Sequence, residues 1–312
     1  MRNKRMSVRH KELTLEYPVH TLNNQLLLPA GSVLSEKQLD DLICSNRDAP
    51  YREYSLMGHS SVKKDLYEFL NAPPYDTIFA HGGQIPRIIS LMESVRLSMP
   101  VLQSLDYFKM NDSYTYRHIL MVFAISSILT VDLVSDYKDR LREVTSGPIH
   151  DIGKICVPLD ILKKTTPLTK DEMYMLRHHT TAGFVLLSYY LKDAGHLFPA
   201  VARDHHERRD GSGYPRGISL KDRMVEIVAV SDIYDALISS RPYRPIAFNN
   251  RTAIEEITTL AEQNKISRDI VKALVAYNRK DKPRYSECRV SAEKRGAPPK
   301  DNVYGIFADE EE

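Results

Sequence analysis

The sequence predicts a mostly α-helical protein, a helical bundle carrying a binuclear metal centre, preceded by a small α/β module. Three observations predict it. Apolar residues recur at helical spacing from about residue 112 to 277, and strand-like runs are confined to the first thirty residues. Histidines and aspartates are spread through the helical part in positions that can converge on metal.

The opening segment supports the small module. Leu13–Tyr17 and Gln25–Leu28 read as strands, with Asn23-Asn24 as turn chemistry between them and Pro29-Ala-Gly31 closing the second. Ser35-Glu-Lys-Gln38 has capping-box spacing and predicts a helix through about Ile43. Ala72-Pro-Pro-Tyr75, reinforced by His81-Gly-Gly83, predicts a boundary, so residues 1–75 form a regulatory or accessory module. Residues 76–110 are then a linker with a connecting helix over Ile85–Met99 that ends at Pro100.

The principal domain is expected over 111–280. His118, Val122, Ile125 and Leu129 form one stripe at steps of four, three and four. Thr169-Lys-Asp-Glu172 is a second capping box and opens a helix to about Leu191. A short helix should precede the polar, glycine-bearing loop over 203–215, and helices follow at Met224–Ile238 and Ile254–Tyr277. The charged remainder, 281–312, with Pro298-Pro299 and a closing Asp-Glu-Glu-Glu, is expected to be a disordered tail.

Bulk properties exclude several classes. A formal net charge of +2 argues against a binder of nucleic-acid polymers, which carry a strong basic excess. Cys44, Cys156 and Cys288 lie far apart without CxxC spacing, which fits a reducing compartment and excludes a disulfide scaffold. Cys156 reads as a buried structural thiol. No apolar leader follows the first residues, and the apolar run Ile119–Val134 contains Asp132 and falls short of the roughly 20 residues a bilayer needs. A cytoplasmic protein that does not contact membrane is expected.

The chemistry centres on His150-Asp151-Ile-Gly-Lys154. A carboxylate beside an imidazole can bridge two ions while the imidazole ligates one of them. Alone, such a dipeptide means little, and a lone histidine such as His118 on an apolar helical face is more often core. The set is what signifies: His118, His150, Asp151, His179, His205, His206 and Asp232, in that order. His179 shares a stripe with Met175 and Gly183, whereas His178 turns about 100° away and reads as solvated. Imidazole and carboxylate without thiolate suit iron or manganese better than structural zinc.

The run His150-Asp-Ile-Gly-Lys154, then His205-His-Glu-Arg-Arg-Asp-Gly-Ser-Gly-Tyr-Pro215, then Asp232-Ile-Tyr-Asp-Ala-Leu with Arg241-Pro-Tyr-Arg244, resembles the HD-GYP family of HD-domain phosphohydrolases. That resemblance covers about residues 111–280 and implies an HD-type helical bundle and hydrolysis of cyclic di-GMP to linear dinucleotide or GMP. It implies that Asp151 and Lys154 serve catalysis, Lys154 lying near the attacking water. Tyr214, Arg241 and Arg244 would meet the substrate, with loop anchoring and surface ion pairing as their structural alternatives. For Lys154 the alternative is an ion pair with Asp232 or Asp235.

Three departures stand out. Family members with a third metal carry Glu four residues before the first histidine, and here that residue is Tyr114, so two ions are expected, iron first and manganese second. The stretch from Gly217 to Asp232 is about two residues short and lacks the family's Ile-Pro. Glu226 stands where an Arg is frequent. These leave open a low-activity sensor or scaffold that binds the dinucleotide or a signalling protein, and an HD hydrolase of another nucleotide. A homodimer is a further association left open.

Overall fold

The computed structural model describes residues 13–79, 84–241, 246–291 and 293–299. In the N-terminal segment β1 (Val19–His20) pairs antiparallel with β2 (Leu26–Leu28), the turn between them using Asn24 at φ 60°. The strand expected at Leu13–Tyr17 is a single bridge, Thr14 to Val33. Its backbone groups pair with the segment after β2 instead: Leu15 N–H donates to Ser32 at 2.9 Å, and Gly31 N–H to Leu15 at 2.8 Å. Helix α1 (Glu36–Ser45) starts where its cap requires, Ser35 accepting from Gln38 N–H at 3.2 Å.

The stretch expected to be a linker is folded into the core. After β3 (Glu53–Ser55) come α2 (Val62–Leu70), α3 (Asp76–Phe79) and α4 (Gln84–Glu93). The connecting helix therefore stops at Glu93, and Arg96–Ser98 forms β4, antiparallel to β3. Pro100 opens the next helix, α5 (Met99–Asn111), rather than ending one; in a first turn its missing N–H costs no hydrogen bond. Buried side chains from Leu15 to Cys288 join in one hydrophobic cluster, so the supposed boundary near Tyr75 is no break in packing.

Helix α6 (Ser113–Leu133) is the axis of the bundle, capped by Asp112 and packed on α2, α4 and α5. It is long and apolar enough to cross a membrane, but 89% of that stretch is buried inside the protein, which accounts for its composition. Next come α7 (Tyr137–Ser146), two 3-10 turns over Gly147–Ile149 and Ile152–Cys156, and α8 (Leu159–Leu162). Helix α9 (Lys170–Leu191) begins at the predicted capping box, with Thr169 and Glu172 bonding reciprocally. The chain continues through α10 (Leu197–Asp204), α11 (Arg223–Ile238), α12 (Asn250–Glu262) and α13 (Arg268–Asn278).

Beyond Lys280 the described residues are not a disordered tail. A 3-10 turn over Tyr285–Glu287 leads to buried Cys288, and the amides of Arg295 and Gly296 donate to Glu255 on α12 at 3.1 and 2.8 Å. A charged segment reads as unfolded until an acceptor such as Glu255, some forty residues earlier, is in place.

Candidate metal centre

The helical core brings the seven predicted residues to one place. His118 comes from α6, His179 from the middle of α9, and His205 and His206 from the C-terminus of α10. Asp232 comes from α11, and His150 and Asp151 occupy the bend between the two 3-10 turns. Donor atoms within each of three overlapping groups lie within 4.8 Å of one another: His179/His205/His206, His118/His150/Asp232 and His150/Asp151/His205.

Close backbone approach sets this geometry. A Cβ on Gly153 would stand 1.9 Å from the carbonyl oxygen of His179 and 2.4 Å from Gly183 N, so the His-Asp bend lies directly on α9. That contact explains the glycine two residues after Asp151, whereas a Cβ on Gly183 would press first on Ala202 Cβ, at 3.1 Å.

Asp151 sits at the middle. Its Oδ2 is 3.5 Å from His118 Nε2 and 3.4 Å from His150 Nε2; its Oδ1 is 3.4 Å from His179 Nε2 and 3.9 Å from His205 Nε2. His118 Nε2 is also 3.1 Å from Asp232 Oδ1, and Asp232 Oδ2 lies 3.9 Å from His206 Nδ1.

The outer nitrogens orient the rings. Nδ1 of His150, His179 and His205 donates to the carbonyls of Gly147, Leu176 and Val201 at 2.7, 2.6 and 3.1 Å. His118 Nδ1 donates to Asp235 Oδ2 at 2.6 Å, and Tyr75 O–H donates to the other oxygen of that carboxylate at 2.5 Å. Each bond leaves an Nε2 lone pair facing inward, as metal ligation requires.

These inward atoms fit a cation. His150 Nε2 is buried without a hydrogen-bond partner among the described residues, and the Nε2 atoms of His179 and His205 confront one another at 3.3 Å. Two acceptors at that distance repel unless a positive species lies between or beside them. Burial pushes His179 down to about 4 and His205 down to about 3, and carries His206 well below its ordinary value, so these rings are neutral near pH 7. Burial alone would raise the carboxyls of Asp151 and Asp232. Lys154 and His150 reverse this for Asp151, and His118 and His206 for Asp232, holding both well below the usual carboxylate range. His118 is the exception among the rings: burial would lower it, but Asp232 and Asp235 hold it up.

Lys154 Nζ lies 2.6 Å from Asp151 Oδ2, so its partner is neither Asp232 nor Asp235. Tyr214 stacks on His206 with ring centroids 4.7 Å apart, and the Arg177 guanidinium lies 4.9 Å from the Tyr214 ring. The loop that carries Tyr214 is pinned from below. Buried Glu207 accepts from the amides of Arg216 and Ile218 at 2.6 and 3.0 Å, and the Arg216 guanidinium grips Asp204 at 2.6 Å. A Cβ on Gly213 would fall 2.3 Å from the His206 carbonyl oxygen, so only glycine fits under this loop.

Arg241 lies 5.2 Å from the Tyr114 ring, which itself stacks on His118 at 5.9 Å. An aromatic ring thus occupies the flank where a further carboxylate would stand. Arg244 falls outside the described residues. Glu226 is paired in both oxygens with Arg209, at 2.5 and 2.8 Å, so this departure is matched by an arginine of the glycine-bearing loop.

Two expectations are corrected here or refined. His178 does turn away from the centre, but it is buried, its ring edge-on to Tyr17 at 5.6 Å and its pKa pushed down to about 4 by that burial. The N-terminal segment covers the face that an isolated helix would show to water. Cys156 donates to the His20 carbonyl at 3.3 Å and burial pushes its thiol up to about 11, the state of an inert structural thiol. Asp235, Tyr75, Glu207 and Arg216 were missed as site-building residues. Asp235 carried a signal in its spacing of three from Asp232 on one helix face, and Glu207 in its place beside His205-His206.

The profile of the family described as "HD domain" matches residues 106–270. A cyclic di-GMP phosphodiesterase of Thermotoga maritima is 40% identical over 137 residues, 43% of this chain and 37% of its own length. The cyclic di-GMP phosphodiesterase response regulator RpfG of Xanthomonas campestris is 42% identical over 113 residues, 36% of this chain and 30% of its own. The cyclic di-GMP phosphodiesterase PA4108 of Pseudomonas aeruginosa is 37% identical over 207 residues, 64% of this chain and 48% of its own. The chain thus spans less than half the length of each of these relatives.

Proposed function

We propose that this chain, which belongs to the HD-domain family and to its HD-GYP branch, hydrolyses cyclic di-GMP at a centre of two divalent ions. The observation that carries this reading is the division of Asp151: Oδ2 faces His118 and His150, while Oδ1 faces His179 and His205. One ion would be held by His118, His150, Asp151 and Asp232, the other by His179, His205, His206 and Asp151. The donor chemistry favours iron, then manganese.

When bound, such ions supply Lewis acidity to phosphate oxygens and water of lowered pKa for in-line attack on phosphorus. The side chains do the rest. Lys154 holds a cation beside Asp151, where negative charge grows on the phosphate during displacement. Tyr214, stacked on His206 and braced by Arg177, presents a rigid ring against which the substrate can lie. Arg241, and Arg244 beyond the described residues, would take the far phosphate through the planar guanidinium fork. The products would be linear dinucleotide, and GMP after a second cut.

A second reading rests on Tyr114, whose ring fills the flank of His118 and keeps a third carboxylate away. It makes the protein a metal-bearing sensor that holds the dinucleotide, or a signalling protein, with little turnover. Cyclic di-GMP incubated with anaerobically purified, iron- or manganese-loaded protein, followed by chromatography, separates the two. Linear dinucleotide or GMP, absent with Asp151→Ala, supports the hydrolase. Two bound metals without product supports the sensor, and turnover of other nucleotides alone supports an HD hydrolase of different substrate class.

A further inference from the structure

We propose that Arg177 reads the edge of a guanine base held beside the metal centre, and so sets which cyclic dinucleotide the site accepts. This inference rests on the reading of the centre as a cyclic dinucleotide site.

Arg177 lies on α9 two residues before His179, and its guanidinium stands over the Tyr214 ring, 4.9 Å from its centre. That ring stacks on His206 at 4.7 Å and 18°. Imidazole, phenol and guanidinium thus form one layered column that starts at a metal-facing histidine. The charge at its outer end has no partner in the fold. Around the same loop Arg203 and Arg216 both hold Asp204, and Arg209 holds Glu226. Arg177 makes no ion pair or side-chain hydrogen bond among the described residues. Its Nε is enclosed without an acceptor, and the terminal nitrogens of this half-buried residue are neither bonded nor enclosed. A guanidinium carries five donors in one plane and no acceptor, so those terminal N–H groups are open to a ligand's acceptors.

The ligand this column suits is a base rather than a bare phosphate. A phosphate needs charge alone, whereas a base uses charge together with flat faces, and the column supplies both. A like column stands beside His118, where Arg241 lies 5.2 Å from the Tyr114 ring and that ring stacks on the imidazole at 5.9 Å. Planes on both flanks of the centre match a ligand with a base at each end. Tyr174, three residues before Arg177 on α9 and 50% exposed, adds a further ring beside the guanidinium.

Guanine is the base that fits. Its O6 and N7 accept two parallel N–H bonds, the pattern that a guanidinium fork offers. Adenine places an amino donor where guanine has O6, so donor would face donor. Glutamine presents one donor and one acceptor, which match adenine instead.

Binding of hydrolysis-resistant phosphorothioate forms of cyclic di-GMP and cyclic di-AMP to the metal-loaded full chain tests this. Wild type should favour the guanine ligand. Arg177→Gln should weaken it about tenfold while the adenine ligand binds as well or better. Arg177→Lys keeps the charge without the fork, and should also lose the guanine preference. Metal content and Tm of both variants should match wild type. An unchanged affinity ratio in Arg177→Gln overturns the proposal, as does a wild type without guanine preference, while cyclic di-GMP binding itself still upholds the dinucleotide reading. Equal weakening of both ligands, restored by Arg177→Lys, would make Arg177 a phosphate contact and overturn the proposal too. A wild type that binds neither ligand overturns the dinucleotide reading and this inference together.

Discussion

Tyr75 donates its hydroxyl proton to Asp235 at 2.5 Å, across 160 residues of sequence, and Asp235 in turn fixes His118 at 2.6 Å. Both partners are buried, Tyr75 at 2% exposure and Asp235 fully. The chain has thus enlisted a tyrosine from the N-terminal third to orient a ring of the metal centre. Tyr75→Phe removes only the hydroxyl, and it should lower metal affinity or activity by about tenfold, the scale of outer-shell losses at metal sites. Asp235→Asn should cost more, because it alters the acceptor that sets the His118 tautomer. Metal analysis and initial rates on the two variants check the order.

Asp151→Ala removes the carboxylate that faces four imidazole nitrogens, two from each histidine set. Elemental analysis should fall from about two ions per chain toward none, and hydrolysis should vanish. Lys154→Met leaves the ligands in place, so metal content should hold while turnover drops by about a hundredfold, a loss typical of one electrostatic group. If Asp151→Ala kept full metal and full activity, the centre would be misassigned.

Gly153→Ala should be among the most damaging single methyl additions in the protein. The new Cβ would meet backbone, the His179 carbonyl oxygen at 1.9 Å and Gly183 N at 2.4 Å, neither of which can swing aside. Overpacking of this kind costs about 3 kcal/mol or more. A lowered Tm together with reduced metal loading would show that α9 has been pushed off the His-Asp bend.

Glu143 on α7 is fully buried, and neither carboxyl oxygen has a hydrogen-bond partner among the described residues. Burial, and then the charge of Asp222, raise its carboxyl well above the usual range, so the folded state holds it protonated where the unfolded chain would release the proton. Between the ordinary glutamate pKa and the raised one, the native state binds more protons, and its stability therefore falls as pH rises. Each unit of elevation corresponds to about 1.4 kcal/mol. Glu143→Gln should leave Tm unchanged in acid and raise it increasingly toward neutral pH. Parallel Tm curves for wild type and variant across that range would refute a protonated Glu143.

Much of the centre was legible because its parts are local. His150-Asp151 and His205-His206 are neighbours in sequence, and the choice of His179 over His178 follows from the 100° step of a helix. The capping boxes at Ser35 and Thr169 likewise report contacts three residues apart, and both helices begin where those residues place them. Where expectation failed, the deciding contact was distant. Pro100 reads equally as a stop or as a first-turn residue, and the pairing of β4 with β3 settles it.

What the sequence determined by itself was the set of candidate metal-ligating side chains and the helices that carry most of them, because periodicity and short motifs are properties of nearest neighbours along the chain. The tertiary structure alone decided that Asp151 divides its oxygens between two imidazole groups, that Tyr75 reaches Asp235, and that Tyr17 buries His178. It also decided that α4 and α5 contribute buried side chains to the core. Those outcomes depend on which surfaces exclude water together, and burial is a property of the assembled bundle rather than of any one of its segments.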